Sequence, residues 1–114
     1  MADLVPFKRP IRWDSLRSDE AEKVIKERAQ NTDNVIIGAH AFDRVEERSI
    51  VAEDIYWILQ TGIVDGRPVC EEGEWKVIMV RRMPGLREAG VVTLIVQEND
   101  AVFVKTVEWM DWIR

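Results

Sequence analysis

The hydrophobic period of this chain changes once, near Gly62. Up to Gln60 the apolar residues recur every three or four positions, as along one face of a helix. From Ile63 they alternate or run in β-branched blocks, as strands do. Helices first and strands afterwards predict an α+β fold, with N-terminal helices packed on one face of a three- to four-stranded antiparallel sheet. A chain of 114 residues holds one domain with one core. Within it we distinguish a basic arm over residues 1–17, a helical part over 18–61 and a sheet over 63–108. No internal repeat, low-complexity segment or linker divides it.

In the arm, Pro6 and Pro10 remove backbone donors, and Lys8, Arg9, Arg12 and Arg17 make it basic. Ser18 reads as a helix N-cap, with Asp19 and Glu20 in the first turn. Ala21, Val24, Ile25 and the stem of Arg28 then follow i, i+3, i+4, i+7. Asn31 to Asn34 form a polar turn. Val35-Ile36-Ile37 is too short to assign alone; one placement is a brief strand leading into the next helix. A third helix, Ala52 to Gln60, carries Glu53 and Asp54 at its start and Gly62 just past its end. Its apolar face is Ala52, Ile55, Ile58 and Leu59. Trp57 falls on the other side, either covered by another element or offered to a partner.

Ile63 to Cys70 reads as an edge strand, interrupted by Gly66 and Pro68. Trp75 to Met83 sets Trp75, Val77 and Met79 on one face and Lys76, Ile78, Val80 and Arg82 on the other. Pro84-Gly85 and Gly90 bracket an expected loop containing Arg87 and Glu88. Val91 to Gln97 and Ala101 to Glu108 complete the sheet around a tight turn.

Hydrophobic residues at 46% and charged residues at 32% describe a globular protein rather than a disordered one. The single cysteine, Cys70, excludes an internal disulfide and fits a reducing compartment. No apolar signal core or membrane-length run is present, so the expected location is the cytoplasm, with no membrane partner. A net charge of −5 counts against a general nucleic-acid binder. It leaves room for a local basic site.

That site is sought between Gly38 and Ile50. On a helix at 100° per residue, Arg44 falls about 40° and Arg48 about 80° from His40, the only histidine. Ala41, Val45 and Phe42 form a separate apolar face, and Asp43 and Glu47 flank the basic row. Stacked like charges at i,i+4 destabilise a helix, so the row asks for a reason. An imidazole moves protons near neutrality, and guanidinium groups bind phosphate oxygens in pairs. Metal-free RNA cleavage needs both services. The plain alternative is a solvated, salt-bridged face in which Glu47 neutralises Arg44. Lys76 and Arg82 share one strand face and are candidate helpers, with Lys105 on the last strand. One histidine and one cysteine supply no metal first shell, and no glycine-rich phosphate loop opens a helix, so no metal or cofactor is expected. A Cys70–His40 nucleophilic pair has no support beyond the presence of both residues.

In order and spacing, His40-x-x-x-Arg44-x-x-x-Arg48-x-Ile50, the acidic helix start Glu53-Asp54, Gly62 and the closing strand with Thr106-Val107 resemble the bacterial domain-of-unknown-function family 4258. That family is grouped with the toxin-like ribonuclease folds of barnase, colicin ribonuclease domains and RelE-like toxins. The resemblance spans residues 35 to 108. It implies one antiparallel sheet with N-terminal helices against it and an endoribonuclease-like activity. It carries His40, Arg44 and Arg48 into the site, with Thr106 as a further candidate.

Two readings follow. In the first, the protein is a metal-independent endoribonuclease, as in the toxin of a toxin–antitoxin pair. His40 is then general acid or base, Arg44 and Arg48 hold the scissile phosphate, and the partners are RNA and an antitoxin-like protein or a second copy. In the second, it is a non-catalytic interaction module that uses its sheet, Trp57 or the Trp109–Trp112 pair. Catalysis wants the basic row unpaired and facing a cleft. His40 turned into the core, or Arg44 held by Glu47, would count against it.

Overall fold

The computed structural model describes residues 13–72, 74–85, 87–96 and 99–110. Most of the basic arm, including Pro6, Lys8, Arg9, Pro10 and Arg12, lies outside the described residues, as does Trp112. The elements in chain order are α1 (Ser18–Ala29), a 3-10 turn (Thr32–Asn34), β1 (Val35–Ile37), α2 (Ala39–Arg48) and α3 (Ala52–Thr61). The strands β2 (Ile63–Glu71), β3 (Glu74–Met83), β4 (Arg87–Ile95) and β5 (Val102–Trp109) follow. They form one sheet in the order β1-β5-β4-β3-β2.

The α+β class is as expected, but the sheet has five strands rather than three or four. The fifth is Val35–Ile37, which pairs in parallel with Val102–Val104, while all other pairs are antiparallel. Three residues carry no readable period of their own; a partner far along the chain makes them a strand.

Local chemistry sets the helix ends. The Glu20 carboxylate accepts the backbone N–H of Arg17 at 3.2 Å, so α1 begins at Ser18 with Arg17 as its cap. The Ser18 hydroxyl instead donates to the carbonyl of Gly66 at 2.9 Å and ties α1 to β2. Asp54 accepts the Val51 N–H at 3.1 Å and starts α3 in the same way. A Cβ on Gly62 would stand 2.5 Å from the Val80 carbonyl oxygen and 2.6 Å from that of Ile58. Only glycine lets α3 turn so closely into β2.

All three helices cover one sheet face. Ile25 of α1, Ala41 of α2 and Ile55, Ile58 and Leu59 of α3 are fully buried against Val77, Met79, Val91, Val102, Val104 and Val107. Each such Ile or Leu contributes about 1.5–3 kcal/mol relative to exposure. The Thr93 hydroxyl is buried there too, and donates to the Val77 carbonyl at 2.8 Å. Arg28 closes the other side of α1. It donates to the carbonyls of Val96 at 2.7 Å and Ala101 at 3.0 Å, and burial lowers its pKa against the opposing charge of Asp100.

Two strand boundaries differ from expectation. Arg87 and Glu88 lie in β4 rather than in a loop, because Met83 pairs with Arg87 and Arg82 with Glu88 directly across the Pro84-Gly85 turn. Gly90 lies inside β4, where a Cβ would meet the Met110 sulfur at 2.4 Å. It makes room for a side chain instead of ending a loop. In β2 the register shifts between Asp65 and Val69, at the Gly66 and Pro68 that marked it as an edge. No described helix is long and apolar enough to cross a membrane.

Candidate functional site

Helix α2 rests on β5 through a glycine. The Gly38 N–H donates to the Val104 carbonyl at 3.0 Å, and a Cβ there would collide with the Phe103 ring at 2.5 Å. From that anchor Ala41 is fully buried and Val45 half-buried against the core. Phe42, expected on the same apolar face, is 70% exposed. It stands at the far margin of the stripe, where the narrow contact with β5 does not reach. At the other end, Ser49 takes a left-handed conformation (φ 57°), and the Ile50 N–H returns to the Val45 carbonyl at 3.2 Å. The Trp109 indole N–H donates to the Arg48 carbonyl at 2.9 Å and fastens the last turn.

This seating turns His40 outward and leaves the two arginines half-buried. His40 is exposed, and the Arg44 and Arg48 side chains are 32% and 21% exposed. Arg44 Nε donates to His40 Nε2 at 3.4 Å, a long bond that the nitrogen accepts only as neutral imidazole. The Arg44 guanidinium also bonds the Glu47 carboxylate, and the same oxygen, Oε2, lies 3.7 Å from an Arg48 nitrogen. The row is therefore His40, Arg44, Glu47 and Arg48, linked side chain to side chain. Asp43 takes no part in these contacts.

Held by Glu47, the arginines are not the unpaired row that catalysis was expected to need. The pairing is what a solvated, salt-bridged face would show. Its strength bears on the choice: an exposed i,i+3 pair is worth about 0.3–0.5 kcal/mol, which a bound phosphate readily exceeds.

The remaining candidates do not join the row. Lys76 and Arg82 alternate with the buried Val77 and Met79, so they lie on the sheet face opposite the helices. Lys76 is paired there with Glu71 at 3.4 Å. Thr106 pairs with Val92, on that same opposite face. Cys70 is exposed on edge strand β2, and β3 and β4 stand between it and the β5 that carries α2, which separates it from His40. Among the described residues, no group of three His, Cys, Asp or Glu is arranged to hold a metal ion.

One basic residue outside α2 packs against the tryptophan that fastens this helix. Arg87 stacks over the Trp109 ring, 4.1 Å from its centroid, and Trp109 holds the end of α2 through the Arg48 carbonyl. Nothing in the sequence pairs residue 87 with 109; only the register of β4 on β5 does, with Ala89 opposite Trp109. The tryptophans of the second reading are partly engaged. Trp57 lies under the Arg81 guanidinium at 4.0 Å and remains 38% exposed, and Trp109 packs against the core.

Compared with protein-family models, curated proteins and solved structures, the chain matches none of them.

Proposed function

We propose that this chain is a metal-independent, endoribonuclease-like protein whose site is the His40–Arg44–Arg48 row on α2. The observation that carries the reading is the hydrogen bond from Arg44 to His40 Nε2, which sets a proton-exchanging imidazole beside a phosphate-binding guanidinium. Arg48 extends the row by one turn. The resemblance of the His40–Arg44–Arg48 spacing to domain-of-unknown-function family 4258, which is grouped with the toxin-like ribonucleases, supports the same chemistry. It extends the reading to a toxin restrained by an antitoxin-like protein partner. With a net charge of −5, RNA would be held by this local row rather than by the whole surface.

The test is cleavage of RNA by the purified protein in excess chelator, wild type against His40→Ala. The expected result is cleavage by the wild type and a loss of about 10²- to 10⁴-fold in the variant. Intact RNA with the wild type, or equal cleavage by both proteins, would sink the reading.

The pairing of Arg44 and Arg48 with Glu47 favours a second reading, a non-catalytic interaction module with the same fold. On that reading Glu47 serves only to neutralise the row, and a Glu47→Ala variant gains affinity for phosphate-bearing ligands without acquiring or losing any cleavage.

A further inference from the structure

We infer that the sheet face opposite the described helices is the seat of the chain's own N-terminal arm, residues 1–12. This surface is separate from the row on α2, and its role does not depend on RNA cleavage. Register sets three rows of side chains on it. The first runs Ile36, Phe103, Leu94, Lys76 and Val69 across all five strands. The second runs Thr106, Val92, Ile78 and Asp65, and the third Glu108, Gly90, Val80 and Ile63. Ile36, Val69 and Ile63 are 49%, 48% and 59% exposed, three of the six large apolar side chains that the described residues leave in solvent. Apolar exposure gathered on one face calls for a cover. Met110 supplies it at the Gly90 end, where its sulfur fills the space a Cβ on Gly90 would need, beside Ile78. At the other end, beside the first row, a cleft of about 500 Å³ is lined by Glu71, Glu72, Glu74, Leu94 and Lys105. Lys76 neutralises Glu71 at 3.4 Å, whereas Glu72 and Glu74 form no ion pair among the described residues.

What fits this surface is an extended segment with apolar side chains and positive charge. The arm has that composition. Leu4, Val5, Phe7 and Ile11 are its apolar groups, and Lys8, Arg9 and Arg12 outweigh the one acidic residue, Asp3. Pro6 and Pro10 lack the N–H that a strand must donate, so the arm suits a face better than an edge. Its point of attachment is fixed. The Trp13 carbonyl accepts the Trp75 indole N–H at 2.7 Å, and Trp75 lies between Glu74 of the cleft and Lys76 of the first row. Twelve extended residues reach about 40 Å, and five strands span about 19 Å. The arm is therefore long enough to pass the end of β3 and cross the whole face. Seated there, Arg12, Arg9 and Lys8 meet Glu72 and Glu74 near the attachment. Phe7, Val5 and Leu4 cover Leu94, Phe103 and Ile36 beyond it. The domain then has three layers: helices, sheet and arm.

The experiment places a nitroxide spin label on the full chain at Ala2→Cys, with Cys70→Ser so that the label has one site. Paramagnetic broadening of the backbone amide signals is the readout. The expected result is loss of the Ile36, Ile78, Leu94 and Phe103 signals, while those of Lys23 and Glu27 on α1 and Trp57 on α3 persist. Reversing the arm's charge with Lys8→Glu, Arg9→Glu and Arg12→Glu should bring the lost signals back. Adding Glu72→Lys and Glu74→Lys to the reversed arm should broaden them again. Broadening spread over both faces, or centred on α1 and α3, would overturn the inference. So would a reversed arm that broadens the same signals as the native one. A mixture of spin-labelled and isotope-labelled chains separates the remaining case: broadening of these signals there would put the arm on a second copy and overturn its seat on its own chain.

Discussion

Arg28 on α1 and Arg44 on α2 carry the same group and use it in opposite ways. Arg28 donates to the backbone carbonyls of Val96 and Ala101, far along the chain, and so holds the β4–β5 connection to the first helix. Arg44 finds both of its partners, His40 and Glu47, on its own helix. Removing the first leaves two carbonyls without their donor. Removing the second frees two exposed side chains that water can satisfy. An arginine bound to distant backbone belongs to the fold; one bound to neighbours on an open face is available to exchange them for a ligand.

The largest effect that would break this comparison is on stability. Arg28→Ala should lower the unfolding free energy by about 2–3 kcal/mol, read from the midpoint of a urea titration at unchanged slope. A loss under about 0.5 kcal/mol would place Arg28 in the same class as Arg44. Next comes the end of α2. Ser49 has φ 57°, where a side chain is strained by roughly 1 kcal/mol, so Ser49→Gly should raise the midpoint; a lower midpoint would mean that the serine side chain holds the turn. Smallest is Arg44→Ala, expected to move stability by no more than about 0.5 kcal/mol. The same variant should bind an RNA strand more weakly and with a salt dependence shallower by about one phosphate contact. Unchanged binding at every salt concentration would remove Arg44 from the site.

Much of the fold could be read from period alone, since the helical stripe of Ala21, Val24 and Ile25 and the alternation of Val77 and Met79 each name their own buried face. The edge character of β2 followed from Gly66 and Pro68. What period could not supply was pairing. Val35–Ile37 is a strand only because β5 accepts it, and Arg87 belongs to β4 only because Met83 lies opposite. The row on α2 was legible because a helix imposes its own geometry: His40, Arg44 and Arg48 needed no other element to align. Lys76, Arg82 and Thr106 did need one. Strand parity, which could be read for the first two, sets them on the face opposite the described helices, and the register of β5 on β4 sends Thr106 there as well. Whether Glu47 faced the arginines depended on rotamers, which spacing constrains but does not choose.

The parallel pairing of β1 with β5 bears on when the protein can work. Helix α2 has its seat on β5, the last of the described strands, and Trp109 at the end of that strand fastens the helix's final turn. Contacts so distant in sequence form late, after the loop-closure entropy of the intervening chain has been overcome. A nascent chain therefore carries His40, Arg44 and Arg48 without a platform to hold them until Val102–Trp109 has been made.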